Sequence, residues 1–308
     1  MPSIAAHVTN LIFRLMPQDK DGETHDYVAE RERNAKRKPE KHPKGVKLEE
    51  FELNGFPADR ITKEGNDKGL IFYIHGGGFT TGSAIERRML TYHVADHYGY
   101  DCISINYRLA PENKWPSQIE DCCNAYEKVL DMGYLPKDIV FMGESAGGTL
   151  ALSLALLCKE KKLPQPKAII AFSPATDQYR DLPSHTRNIK TDHMLKDAVA
   201  KGLCDVLFEG ETDREKLKEA LLSPYYGDYE GLPPIFLSAS SSETLYDDAM
   251  ILYDKLKSEG HETEIDIRNG VCHAYQIMPY MQEARKTLEQ TFAFVNKISK
   301  GEIYHEPI

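Results

Sequence analysis

From residue 46 onward, short apolar or alternating runs recur at 48–53, 69–74, 102–106, 138–142, 167–173, 234–238 and 263–267, most of them separated by stretches of helical period. Two of them, Ile139-Val140-Phe141-Met142 and Ala168-Ile169-Ile170-Ala171-Phe172, are continuously apolar, as strands covered on both faces of a parallel sheet are. The helices between them show as stripes. Ile119, Cys122, Tyr126 and Val129 share one face, and Ala284, Leu288, Phe292 and Val295 share another. Strand and helix patterns in alternation predict an α/β fold with a mostly parallel central sheet flanked by helices.

Two regions break the rhythm. Near the N-terminus Ile4, Val8, Leu11, Ile12, Leu15 and Met16 fall on one face of a helix; Arg14 interrupts the run and no small-residue cleavage site follows, so the segment reads as a retained helix and not as an export signal. A second helix is expected over 24–37, running into a basic stretch, 31–47, whose eight Lys and Arg residues read as a solvated helix end and connector. Between 175 and 230 the strand pattern stops, and Asp192 is placed to cap a helix carrying Leu195, Val199, Leu203 and Val206. That insert is too long for a plain loop and predicts a helical addition to the sheet. Whether it meets the N-terminal helices is not legible in the sequence.

Composition narrows the partners. The 308 residues carry 38 basic and 48 acidic side chains, a formal net charge of −10, which suits neither nucleic acid nor an anionic membrane and favours a small-molecule substrate. No apolar run approaches the ~20 residues that cross a bilayer, so no membrane span is expected. Six cysteines without an export signal fit reduced thiols in a cytoplasmic location better than a disulfide framework. There is no Cys-x-x-Cys pair, and neither a zinc site nor another metal or cofactor is expected. The oligomeric state stays open, a homodimer included.

The candidate chemistry begins at Gly143-Glu144-Ser145-Ala146-Gly147-Gly148, between the buried run 138–142 and a helical stretch from Thr149 to Cys158. A Gly-x-Ser-x-Gly turn in that setting puts Ser145 on a sharp corner with its hydroxyl directed out of the sheet, and puts the Ala146 N–H at a helix N-terminus, where positive partial charge meets a developing oxyanion. The run 70–74 leads directly into His75-Gly76-Gly77-Gly78-Phe79, a backbone that must turn tightly and expose its own N–H groups. Neither phosphate-loop glycine pattern is present. His75 reads as a brace for this loop.

A serine hydroxyl needs a base, and imidazole suits neutral pH. Of the eleven histidines, His273 follows the run 263–267 on a loop, last in the chain order serine, acid, histidine. His93 and His97 are assigned to a helix, while His185 and His193 fall in the insert, within reach of substrate at most. The acid is sought after 234–238, where Glu243 comes first in the loop and Asp247 and Asp248 open the next helix, suited to its caps and dipole. Glu243 is the expected acid and Asp247 the alternative. Cys272, beside the proposed base, reads as an inert buried thiol.

His75-Gly-Gly-Gly78, Tyr107-Arg108-Leu109-Ala110-Pro111-Glu112, Gly143-Glu-Ser-Ala-Gly147, Ser173-Pro174 with Asp177, and the His273 loop together resemble the hormone-sensitive-lipase-like branch of the α/β-hydrolases, which includes bacterial carboxylesterases and acetyl esterases. The resemblance implies an α/β-hydrolase core in 46–177 and 229–308, N-terminal cap helices in 1–45 and a helical cap insertion in 178–228. It also implies an oxyanion hole made by Gly77, Gly78 and the Ala146 amide, and a structural brace in Tyr107 to Glu112. Glu243 stands where many members carry Asp. The expected activity is serine-dependent hydrolysis of small short-acyl esters, acetylated sugars among the candidates, with Ser145, His273 and Glu243 as triad. Lipase, amidase or peptidase chemistry, and a non-catalytic ligand-binding protein on the same scaffold, are the competing readings.

Overall fold

The computed structural model describes residues 2–16, 26–36, 41–195, 206–208 and 214–303. Eight strands, β1 (Val46–Leu53), β2 (Phe56–Lys63), β3 (Leu70–Ile74), β4 (Asp101–Ile105), β5 (Ile139–Glu144), β6 (Ala168–Phe172), β7 (Ile235–Ser240) and β8 (Thr263–Arg268), form one sheet in the order β1-β2-β4-β3-β5-β6-β7-β8. Only the β1–β2 and β2–β4 pairs are antiparallel. From β4 through β8 every neighbour is parallel, as the alternating pattern predicts.

Every residue of β3, β5, β6 and β7 is buried, because helices cover both faces. Successive side chains point to opposite faces, so one strand feeds two cores. Phe72, Ile74 and Phe141 pack with α4 (Ser117–Asp131), α5 (Ala146–Lys161) and α7 (Tyr246–Ser258), whereas Ile71, Tyr73 and Val140 pack with α3 (Arg88–His97) and α8 (Gln282–Ser299). The Ile119 and Leu288 stripes both face the sheet.

One strand was not legible in the run pattern. β2 contains Pro57, Asp59, Arg60 and Lys63, too polar to register as a run; Asp59 is buried against Arg88, with Nε at 2.7 Å from its carboxylate. The signal that does announce it is Asn54-Gly55, a two-residue turn with both φ values positive that joins β1 to β2.

At the N-terminus α1 (Ile4–Leu15) and α2 (Tyr27–Ala35) form as expected. The apolar stripe of α1 faces outward, with Ile4 84% and Leu15 73% exposed. Polar side chains hold the other face: Ser3 Oγ donates to Glu283 at 2.7 Å and Asn10 Nδ2 to Gly270 O at 2.9 Å. Phe13 of this helix and Met194 of the insert pack on one small apolar cluster, with Ala6, Val271 and Cys272, so the two segments do meet. Within the insert, the short helix α6 (Pro183–Arg187) is followed by a turn in which Asp192 Oδ1 accepts the N–H groups of Met194 and Leu195, both at 3.0 Å. Val199 and Leu203 of the expected stripe, Cys204, His25, His305 and residues 37–40 of the basic stretch lie outside the described residues.

Candidate active site

β3 and β5 are parallel neighbours with Ile74 opposite Gly143, so the loop after one and the turn after the other leave the same edge side by side. Ser145 is the entire link between β5 and α5, held at φ 54°, ψ −126°. Such a conformation costs of order 1–3 kcal/mol for a residue with a side chain and persists only when its surroundings over-determine it. Two contacts do so here. Ser145 N–H donates to Phe172 O at 2.8 Å, and the helix start packs so closely on β3 that a Cβ on Gly147 would lie 2.1 Å from Ile74 O. No larger residue fits there.

On the β3 side, Gly77 takes φ +117°, and a Cβ there would lie 2.3 Å from Thr81 O. Its carbonyl is turned inward to accept from the Thr80 and Thr81 amides at 3.1 and 2.9 Å. That turn leaves the N–H groups of Gly77 and Gly78, like that of Ala146 across from them, with no acceptor among the described residues. His75 is buried and stacks on Tyr107 with ring centroids 4.4 Å apart, while its Nδ1 donates to Gly76 O at 2.7 Å. Burial lowers its pKa to about 4, so the ring is neutral at pH 7 and props the loop. Tyr107 OH adds a hydrogen bond to His75 O at 2.8 Å.

Glu144, which sequence reasoning passed over, lies 1% exposed beneath the loop and accepts the Gly76 N–H at 2.7 Å. Tyr73 OH and Arg87 Nε also bond to it. Its signal was a charged residue closing an otherwise apolar strand. Buried charges persist only when paired and hydrogen-bonded, and this one ties β3, the glycine loop and the segment before α3 together.

On the acid side, Glu243 Oε2 lies 2.6 Å from His273 Nδ1, with the two side chains 0% and 3% exposed. Glu243 Oε1 accepts the Ser240 N–H at 2.9 Å. Burial alone would lower the proton affinity of His273, but the charge and hydrogen bond of Glu243, with Asp192 and Glu144 beyond, outweigh it and raise the pKa above the ordinary imidazole value. The other ring nitrogen, Nε2, is buried without a hydrogen-bond partner among the described residues, and no hydrogen bond joins it to Ser145 Oγ. Both residues hang from the end of β6: Ser145 N–H bonds to Phe172 O, and Ala274 N–H to Ser173 Oγ at 3.3 Å. The Cys272 thiol is buried, which pushes its pKa up to about 12.

Asp247 and Asp248 lie in the first turn of α7 as expected, yet they bind the insert. Asp247 Oδ2 accepts Ser184 N–H at 2.7 Å. Asp248 accepts the Thr176 N–H at 2.9 Å and pairs with His185 Nε2 at 2.7 Å, so His185 is a tether between insert and core. The His-x-x-x-His spacing, also taken as missing from the sequence, does occur: His93 and His97 stand four residues apart on α3, with stacked rings 4.1 Å between centroids. Among the described residues no cluster of three His, Cys, Asp or Glu side chains is arranged to hold a metal ion, and no helix is long and apolar enough to cross a membrane.

The chain is similar to known proteins. A family model described as the alpha/beta hydrolase fold matches residues 71–277. An esterase of Acinetobacter venetianus is 29% identical over 255 residues, spanning 82% of this chain and 83% of the relative. An acetyl-hydrolase of Streptomyces hygroscopicus is 28% identical, over 77% of this chain and 79% of the relative. The crystal structure of an esterase from the bacterial hormone-sensitive lipase family superposes with a TM-score of 0.84 at 27% identity, covering 96% of this chain and 99% of that one. A parallel sheet with a serine at the strand–helix corner, exposed loop amides beside it and a buried Glu–His pair is thus found in a chain that belongs to the α/β-hydrolase fold family, in its hormone-sensitive-lipase-like branch, and is a carboxylic ester hydrolase.

Proposed function

We propose that the chain hydrolyses small, short-acyl carboxylic esters through an acyl-enzyme formed on Ser145, with His273 as general base and Glu243 as its orienting acid. Ser145 Oγ attacks the acyl carbonyl while His273 Nε2 takes its proton, and the carbonyl oxygen becomes an oxyanion facing the Gly77, Gly78 and Ala146 amides. Collapse expels the alcohol, which receives the proton from His273. Water, deprotonated by the same nitrogen, then attacks the acyl-enzyme and releases the carboxylic acid.

One observation carries this reading: the buried Glu243–His273 pair, whose other ring nitrogen, Nε2, has no partner among the described residues. A carboxylate on Nδ1 fixes the tautomer that leaves Nε2 basic, and catalytic hydrogen bonds are often long before substrate binds. Supporting it are the Gly77, Gly78 and Ala146 N–H groups, which have no acceptor among the described residues. The acetyl-hydrolase relative favours a short acyl group, and acetylated sugars belong in the first substrate panel.

The test is hydrolysis of p-nitrophenyl esters of increasing acyl length by wild type and Ser145→Ala. Acetate and butyrate are expected to turn over fastest, and the variant to lose at least about 10⁵-fold in kcat. Equal, near-background rates for the two proteins would end the proposal.

A further inference from the structure

Residues 184–192 of the insert are hydrogen-bonded to the loop that carries the acid. Four consecutive carbonyls of that loop each accept a side-chain donor from residues 184–191. Asn188 Nδ2 reaches Ser241 O at 3.0 Å and Glu243 O at 2.8 Å. Thr191 Oγ1 reaches Ser242 O at 2.9 Å, and Ser184 Oγ reaches Thr244 O at 2.6 Å. Asp192 completes the set from the opposite polarity: its Oδ2 accepts both the N–H of Thr244 at 2.8 Å and the Thr244 hydroxyl at 3.0 Å.

The same Asp192 side chain, 1% exposed, caps the Met194–Leu195 turn through Oδ1. Among the described residues its four hydrogen-bond partners are all donors, which suits a carboxylate. It therefore places a second negative charge one residue from Glu243, in a setting where burial magnifies charge. A glutamate reaches one methylene further than aspartate, so its loop must be held at a matching distance from the imidazole; the Ser240 N–H holds Glu243 from within the loop, and residues 184–192 hold the loop from outside.

We propose that the segment 184–192 positions the triad acid, and that Asp192 is its key positioning residue, fixing the Thr244 backbone so that Glu243 meets His273 Nδ1. Asp192 touches no reacting atom. It acts through Glu243 and through its charge, so the inference rests on the triad reading above. The charged groups facing His273 are Glu243 from the β7 loop, Asp192 from the insert and Glu144 from the end of β5, whose own partner is Arg87. All three acids favour the imidazolium, and removing one should make His273 easier to deprotonate.

The experiment compares Asp192→Asn with wild type in kcat, KM, the pH profile of kcat/KM and active-site titration with an organophosphate. Expected are a fall in kcat of about 10- to 100-fold at nearly constant KM, a full titre of reactive serine, and an acid limb moved to lower pH by about half a unit or more. Wild-type kcat and an unmoved limb would overturn the proposal, as would a loss of activity matched by loss of titre with no movement of the limb. Should Asp192→Asn fail to fold, Thr244→Val decides: it keeps shape and charge but deletes one donor, and about 3- to 10-fold lower kcat at full titre is expected, while an unchanged kcat refutes the idea. Ser145→Ala and Glu243→Gln run alongside. If either keeps wild-type activity the triad reading itself has failed; if both are inactive and Asp192→Asn matches wild type, only the positioning role falls.

Discussion

Glu144 accepts the Gly76 N–H at 2.7 Å, joining the residue before the candidate nucleophile to the loop that would cradle its oxyanion. Two loops that are sixty-eight residues apart in sequence are thereby registered by one carboxylate. Arg87, 13% exposed, supplies the countercharge.

Breaking that pair alone should be costly. Glu144→Gln leaves the Arg87 guanidinium buried without its anion, and a loss of about 3–5 kcal/mol in urea unfolding is expected. The double variant Glu144→Gln with Arg87→Met, which removes both charges, should recover part of it. A double variant no more stable than Glu144→Gln would show that the pair is not what stabilises the loops.

Gly147→Ala should abolish folding or activity outright. The new Cβ would meet Ile74 O at 2.1 Å and His75 O at 2.5 Å, and both are backbone atoms of the central sheet and its exit loop, which cannot swing aside. Soluble protein with near-normal esterase activity would contradict the close packing at this corner.

The choice of acid is tested by Glu243→Gln against Asp247→Asn. Only Glu243 reaches His273, whereas Asp247 accepts from Ser184, so the first should lower kcat about 10³- to 10⁴-fold and the second only a few-fold. The reverse order, with both proteins folded by circular dichroism, would move the triad to Asp247.

The base must be neutral to take the serine proton, and Glu243 holds the imidazole above its ordinary pKa of about 6.5 despite burial. Activity should therefore fall on the acid side with a midpoint above that value in kcat/KM. In Glu243→Gln the residual activity should show its midpoint at lower pH, because the neighbouring negative charge is gone. A limb that stays in place would mean that Glu243 does not set the proton affinity of His273.

His185 gives a stability prediction of definite sign. Burial pulls its pKa down, but the hydrogen bond and charge of Asp248 outweigh this and raise it. A raised folded-state value adds stability that is fully present below the unfolded value, about 6.5, and is lost as pH climbs through the folded one. The difference in melting temperature between wild type and His185→Gln should be largest near about pH 5.5 and shrink toward about pH 9. A gap that grows with pH would show that the tether does not depend on the imidazolium.

The parallel strands, the Ser145 corner and the glycine loop were legible in the chain because they depend on local rules: apolar runs mark buried parallel strands, helical stripes mark the layers on them, and glycines fall where a side chain would strike backbone. The sequence located the Glu243 and His273 loops through their order after strands. β2 escaped because a buried ion pair, Asp59 with Arg88, gave it a polar surface pattern, although Asn54-Gly55 had announced its hairpin. That Glu243 and not Asp247 meets the imidazole, what Glu144 holds, and that Asp248 and Asp192 anchor the insert instead of only ending helices became visible only in the folded chain. Those relations join residues 30 to 72 positions apart in the chain, and a hydrogen bond at that separation leaves no period or spacing in the sequence to read.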